Sequence, residues 1–473
     1  MRKATTVCTL VLLLAAHVAG AVTAAPGYAV RTIPTPASVQ GGVVARGGAV
    51  LVGQGSFGAG LESVIRIDGG GTVTIATGFN SLGGFDLDAA GTLYVVDNGG
   101  DLGGALTGDT VYAIPNALTR TTPLAAVGAE VLPSGSVPTA QEVLVAGDGL
   151  LVADAAGPGA GKVLKVVGGV PTDLITGLDY LGGMAFLGRT LLVDDLDGGF
   201  SGNVLRYSAT GSSLGALATG LPASYGLAVD SVCNALVSGE FSFDCSSGRI
   251  LAIPPGGGAP VPRATAFCSA GDLFFDGARD ETLALDFGAS AVTAICRDRN
   301  NDSICDADAP CVGPAALTGV KLKLGRLSTP AADDTLSLTA EATLPLVPSI
   351  DPVTTGLRVR LTRVSDGVVV AEAMIPGGAY DPVRRIGWKP NVAVTQWKYK
   401  NTTCPVGTTV AAKVKVLATG VVRFSVTVRG GAYPITLSDL PLHASLLLDP
   451  AGQCAVASPS CMLSSTGATL ACR

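Results

Sequence analysis

The most specific chemistry in this chain of 473 residues lies between Cys296 and Cys311, where the sequence reads CRDRNNDSICDADAPC. Asp298, Asn300 and Asp302 alternate with other residues, as the first, third and fifth ligands of a calcium loop do. Ile304 can offer a main-chain carbonyl, and Asp306 and Asp308 supply further carboxylate oxygens. Hard oxygens at alternating positions of a curling chain suit Ca2+ better than a softer metal. Ser303 stands where an EF-hand needs a turn glycine, and Ala309 where it needs the bidentate glutamate, so a two-helix hand is not expected. The predicted role of the ion is structural: it neutralises the carboxylates and stiffens a joint. A solvated acidic linker pinned by disulfides is the competing account.

This loop resembles a single degenerate thrombospondin type-3 repeat, in which calcium ligands and cysteines alternate. Other residue types restrict the chemistry further. The only histidines are His17 and His443, which excludes a multi-histidine metal site. There are 11 cysteines and no Cys-x-x-Cys spacing, so a redox or zinc motif is absent and disulfides are expected. Cys233–Cys245 and Cys461–Cys472 are the simplest local pairs, though spacing alone leaves the connectivity open.

The elements that position such residues form a repeat. A Gly-led apolar strand, a turn and a second strand recur six times between residues 42 and 286, most clearly at Gly84–Asp97, GFDLDAAGTLYVVD. A third strand follows each copy, at 64–67, 111–114, 163–166, 204–207, 250–253 and 292–295. Starts lie roughly 40 to 60 residues apart, the period of a propeller blade. One such sheet cannot bury both faces alone, whereas six packed in a ring can. The fold class is therefore all-β: a six-bladed β-propeller over 41–295, the acidic linker over 296–314, and a C-terminal β-sandwich over 315–473. The sandwich is read from strands that alternate apolar with polar or basic residues, such as VKLKLG and LRVRLTRV. Residues 26–40, rich in Pro, Thr and Ser, read as a lead-in to the ring.

The aspartates that end second strands (Asp97, Asp154, Asp195 and Asp286) read as turn caps, because a residue needed in every blade is needed by the blade. Loops joining second to third strands, at 98–109, 155–161, 196–203 and 240–248, differ in length and composition and open on one face of the ring. Near the channel mouth the sequence places Asn80, Gln141, Glu142, Asp179 and Tyr225 as candidate binding residues. Gln141 and Glu142 break the leading-Gly pattern, and a carboxylate on an inner strand must be solvated, paired or bound to a metal.

The phrase at 84–97 resembles the repeat of NHL-type and gluconolactonase-like six-bladed propellers, over about 255 residues by the blade period. For the gluconolactonase-like enzymes the resemblance implies a divalent cation held at the mouth by carboxylates and an Asn, with Glu142, Asn80 and Asp179 in those places and a lactone or related ester as substrate. The family's Glu-Gly-Pro opening of the first blade is replaced here by Gln40-Gly41-Gly42. A quinone-dependent sugar dehydrogenase of the same blade count needs a histidine base, which this propeller lacks. The stretch from Gly387 to Cys404 resembles a C-terminal domain that follows calcium-type linkers in exported bacterial proteins, and it implies no activity.

Arg2 and Lys3, the apolar run from Val7 and the small residues through Ala24 read as a signal peptide over 1–24. The run is too short to span a membrane as a mature helix, so a secreted or periplasmic monomer is expected. Lys and Arg number 13 against 28 Asp and Glu over 26–314, and 16 against 9 over 315–473. The basic residues are spread over strands without an aromatic platform, so nucleic acid is not implied. Together these features predict an exported binding or scaffold protein that contacts a protein or glycan ligand through its propeller loops. A calcium-dependent lactonase is the alternative.

Overall fold

The computed structural model describes residues 21–473 apart from 100–107, 199–200, 240–244, 299–302, 307, 309–310, 312, 328–332, 366, 383, 402–408, 418, 432, 434 and 450–452. Six antiparallel sheets follow one another in the first part of the chain, each beginning with its innermost strand. The innermost strands are Val39–Arg46, Leu82–Leu87, Ala140–Ala146, Tyr180–Leu187, Ser224–Val229 and Ala270–Asp276. Neighbouring innermost strands contact one another around the ring, including the last with the first. All six third strands read from the sequence are present. Between the blades lie small apolar clusters, for example Val44, Leu51, Phe85 and Val95 between the first two. That is how sheets which cannot bury two faces alone become stable.

Two features depart from the sequence expectation. The supposed lead-in holds a strand, Tyr28–Ile33, which pairs antiparallel with Ala291–Arg297 as the outer strand of the sixth blade. The N-terminal segment thus closes the ring. Among the described residues blade two has three strands, one fewer than the four-stranded blade the repeat implies. After its third strand, Thr110–Ile114, the chain runs to the rim of blade one, where Leu124–Ala125 pairs parallel with Gly71–Phe79. Pro115, Pro123, Pro133 and Pro138 stud this stretch, and each lacks the N–H a ladder needs.

The C-terminal domain is one connected sheet of 12 strands that curls on itself. Its hinge is the long strand Ala315–Gly325. The start of that strand pairs parallel with Gln453–Ala457, and from Leu317 it pairs antiparallel with Asp334–Thr343, with an irregularity between Thr318 and Lys321. Gly319, at φ 58°, turns the chain there. The two halves enclose one core containing Trp388, Trp397, Phe424 and Leu338. Trp388 is fully buried and donates its indole N–H to Pro376 O at 2.9 Å, so both tryptophans are packing residues with no ring face open to a sugar.

Four disulfides join described residues. Cys461–Cys472 is as expected. The expected Cys233–Cys245 pair is not formed: Cys245 bonds Cys268. Cys296–Cys305 pins the linker to the last propeller strand, and Cys311–Cys454 ties its far end to the C-terminal domain. Such a framework fits an oxidising compartment. No helix among the described residues is long and apolar enough to cross a membrane.

Candidate functional site

Each second strand ends beside the start of its own blade's first strand, so a side chain at that end reaches the chain segment entering the blade. Asp97 accepts from the main-chain N–H groups of Asn80, Ser81 and Gly99 at 2.8, 2.9 and 3.0 Å. Asp154 accepts from Thr139, Asp195 from Asp179, and Asp286 from Cys268 and Ser269. The repeated aspartates are caps of the blade connections.

The residues they cap carry a second tie, back to the preceding blade. Asn80 Oδ1 accepts from Gly60 N–H at 2.8 Å, and its amide lies 3.3 Å from Gly99 O. Asp179 Oδ1 accepts from Gly159 N–H at 2.7 Å. Cys268 occupies the same place in blade six and bonds Cys245 covalently. In all three the partner sits in the loop between the second and third strands of the previous blade. Asn80 and Asp179 therefore lie on two different blade junctions, and the structure does not bring them together with Glu142.

Three of the sequence-predicted mouth residues do converge. The Tyr225 hydroxyl is hydrogen-bonded to the Gln141 side chain, and its ring meets Phe287 edge-on at 6.0 Å. Glu142 lies close enough to raise the proton affinity of Tyr225, which burial has already pushed well up. The ring registers show why Glu142 stands out. The residue just before the first apolar position paired beyond the strand irregularity is Gly42, Gly84, Glu142, Gly183, Gly226 and Asp272 in blades one to six. Inner strands touch at this level. A Cβ on Gly84 would lie 2.1 Å from Glu142 Oε1, and one on Gly226 would lie 2.5 Å from Gly271 O. Four glycines let the strands close, and the two carboxylates stand on opposite blades, three and six.

Asp272 was not foreseen from the sequence. Its signal is the register: Gly271 resembles a leading glycine, yet the residue equivalent to Gly84 is Asp272. Asp272 Oδ2 accepts from Val43 N–H of blade one at 2.9 Å, and Oδ1 from Leu273 N–H at 2.8 Å. Asp86 likewise bridges blades, accepting from Val145 N–H at 2.7 Å. Glu142 accepts from its own blade, Val143 N–H at 2.9 Å. Burial raises the carboxyl pKa of Asp86 to about 6 and that of Asp272 to about 7. Glu142 is raised well above the usual range, by burial first and then by the Asp272 charge. The cluster holds protons near neutrality, because ionising adjacent buried carboxyls together is costly.

The acidic linker is built partly of ion pairs. Asp308 lies 3.1 Å from Arg31 Nε and is also bonded by Arg279. Two guanidiniums thus occupy a carboxylate that the sequence offered to calcium, and they hold its pKa below the ordinary value against the effect of burial. Asp298 is buried, and its Oδ2 accepts from Ser303 N–H at 2.9 Å. Asp306 is buried and Ile304 is exposed. Asn300 and Asp302 lie outside the described residues. Among the described residues no group of three or more His, Cys, Asp or Glu is arranged to hold a metal ion.

No family model matches this chain, and no curated protein matches it. Solved structures that resemble it include a calcium-binding protein, regucalcin, from Agrobacterium tumefaciens, at 13% identity and TM-score 0.40, covering 56% of this chain and 91% of that one. A gluconolactonase from Xanthomonas campestris is similar at 12% identity and TM-score 0.38, covering 57% and 98%. An auxiliary nutrient binding protein from Bacteroides ovatus is similar at 10% identity and TM-score 0.41, covering 57% and 77%. Likenesses this loose transfer no residues.

Proposed function

We propose that this chain is an exported, non-enzymatic binding or scaffold protein whose contact face is formed by the loops joining second to third strands of the propeller. One observation carries the reading: the polar groups a hydrolytic cation would need at the mouth are committed elsewhere. Asn80 and Asp179 fasten separate blade junctions, and Glu142 is buried against Gly84 with its nearest charged neighbour another carboxyl. The contact loops in this reading are those at 98–109, 196–203 and 240–248, parts of which lie outside the described residues. A protein or glycan of the cell exterior fits such a face. A calcium ion in the linker, held by Asp298, Asn300 and Asp302 with the Ile304 carbonyl and Asp306, would brace the joint. Asp308, already carrying two arginines, fits an ion pair better than a sixth ligand.

The rival is a metal-dependent lactonase that uses Glu142 and Asp272, the two inward carboxylates. A panel of lactones and simple esters, assayed with and without divalent metal, separates the two. The expected result is no turnover above the uncatalysed rate. Metal-dependent hydrolysis that disappears in Glu142→Gln would establish the enzyme instead. Replacing 197–201, between the paired residues Leu196 and Gly202, by a short Gly-Ser turn should abolish capture of the extracellular ligand while leaving the melting temperature near that of the parent.

A further inference from the structure

We infer that the C-terminal domain docks on an anionic phospholipid surface, using the outer face of its larger half-sheet and the apolar turns at one end of that face. The strands concerned are Ile386–Pro390, Gln396–Asn401, Thr409–Val416, Val421–Gly431, Asp334–Thr343 and Ala315–Gly325. Along most of their length buried and outward positions alternate. Cross-strand register aligns the outward positions in rows. One row runs Lys389, Lys398, Lys413, Ser425, Thr339, Lys321. The next, nearer one end, aligns Lys415 with Arg423 and then Glu341. Glu341 is the one carboxylate facing outward from these strands among the described residues, and Arg423 engages it at 2.6 Å.

Three lysines directly opposite one another, on strands about 4.8 Å apart, repel, and cross-strand like charges destabilise a sheet. Among the described residues the one outward carboxylate of these strands is engaged by Arg423 and not by these lysines, whereas a polyanion laid over the face would offset the repulsion. The end of the face names the kind of polyanion. The turn at 391–395 carries Val392, fully exposed, and Val394, 59% exposed. It abuts the next strand through Val416 N–H donating to Thr395 O at 2.8 Å. The turn after that strand includes Gly420, where a Cβ would lie 3.7 Å from Leu346 Cδ1. Leu346 and Val347 are 47% and 89% exposed. Isolated exposed apolar residues are ordinary, but here four occupy adjoining turns at the end of a lysine-rich plane. A soluble acidic polysaccharide has no use for those side chains. A bilayer surface uses both, with apolar tips entering the boundary between headgroups and acyl chains and cations meeting the phosphates.

The test is co-sedimentation of the full chain with phosphatidylcholine vesicles, with and without phosphatidylglycerol. Binding should require phosphatidylglycerol and weaken steeply with salt. Lys398→Glu/Lys413→Glu should weaken it by about tenfold or more, and Val392→Asp/Val394→Asp by about tenfold. All four side chains are exposed, so the melting temperature should not fall, and a melt at or above the parent's shows that the loss is at the surface. Equal binding to neutral and anionic vesicles would overturn the inference. So would full binding by either variant, or retention on an immobilised sulfated polysaccharide with no vesicle binding.

Discussion

Glu142 is the side chain whose surroundings best separate chemistry from architecture. It is buried between a glycine that leaves it room and two further carboxyls, Asp272 and Asp86, with no cation among the influences that set its pKa. Asp272 and Asp86 bind main-chain N–H groups of the neighbouring blade, so both are blade fasteners whatever else they do. The linkage has a definite sign. Unfolded carboxyls titrate near 4, while Asp272 titrates at about 7 in the folded protein and Glu142 is raised as well. Between those values the folded state holds protons that the unfolded state has lost. The stability from these groups is therefore full below about pH 4 and is lost as pH rises through about 7. Glu142→Gln replaces a group that must stay protonated with a neutral one of the same shape. Thermal melts should show the parent destabilised on going from about pH 5 to about pH 8 and the variant less so, by about 1–2 kcal/mol. Identical slopes for both proteins would mean that Glu142 does not carry the proton.

Among the elements, Tyr28–Ile33 brings the start of the chain into the last blade as its outer strand. Its anchor is Tyr28, whose ring lies beneath two guanidiniums, Arg263 at 4.6 Å and Arg297 at 4.7 Å. Asp230 and Asp280 hold those arginines in turn, at 3.2 and 3.4 Å. Tyr28→Ala should cost about 2 kcal/mol and open the sixth blade to proteolysis, whereas Tyr28→Phe keeps the stack and should cost well under half of that. Equal losses would place the contribution in the hydroxyl. The sequence did not disclose this strand. Its partner lies 267 residues away at Cys296, and Pro34 and Pro36 beside it suggest a lead-in. The blades were legible because apolar pairs and turn residues repeat locally, and the capping aspartates because they recur with them. Asp272 was hidden by its neighbour Gly271: a strand irregularity fixes which of the two faces the ring, and composition does not record register. The bonds that tie Asn80 to Gly60 and Asp179 to Gly159 span separate blades and leave no mark in the sequence.

For the molecule as a whole, the joint between the propeller and the C-terminal domain inverts the overall charge bias. The acidic half supplies Arg31 and Arg279 there. Arg279 bonds Glu281 at 2.9 Å and Asp308, and its third contact, at 4.0 Å, is Glu372 of the basic half, itself 2.7 Å from Arg360. Arg31 adds bonds to Glu281 and Asp308 at 3.0 and 3.1 Å. Glu281 and Glu372 are almost wholly buried. Glu281 keeps Arg31 and Glu372 keeps Arg360 when Arg279 is removed, so Arg279→Ala should cost about 1.5–3 kcal/mol and, because it removes the contact between the halves, split one thermal transition into two, one for each domain. The linker carboxylates then divide into two roles that one pair of variants can separate. Asp308→Ala should split the melt as Arg279→Ala does while leaving calcium affinity unchanged, because its oxygens already face arginines. Asp298→Ala/Asp302→Ala should abolish calcium binding measured by calorimetry, together with the rise in melting temperature that calcium gives by mass action. If both linker variants bound calcium as the parent does, the joint would rest on its ion pairs and two disulfides, and the alternating oxygens would be no more than an acidic turn. If Asp308→Ala lost calcium together with the double variant, the arginines would have to yield to the ion, and the joint would have a calcium-bound form distinct from the one described here.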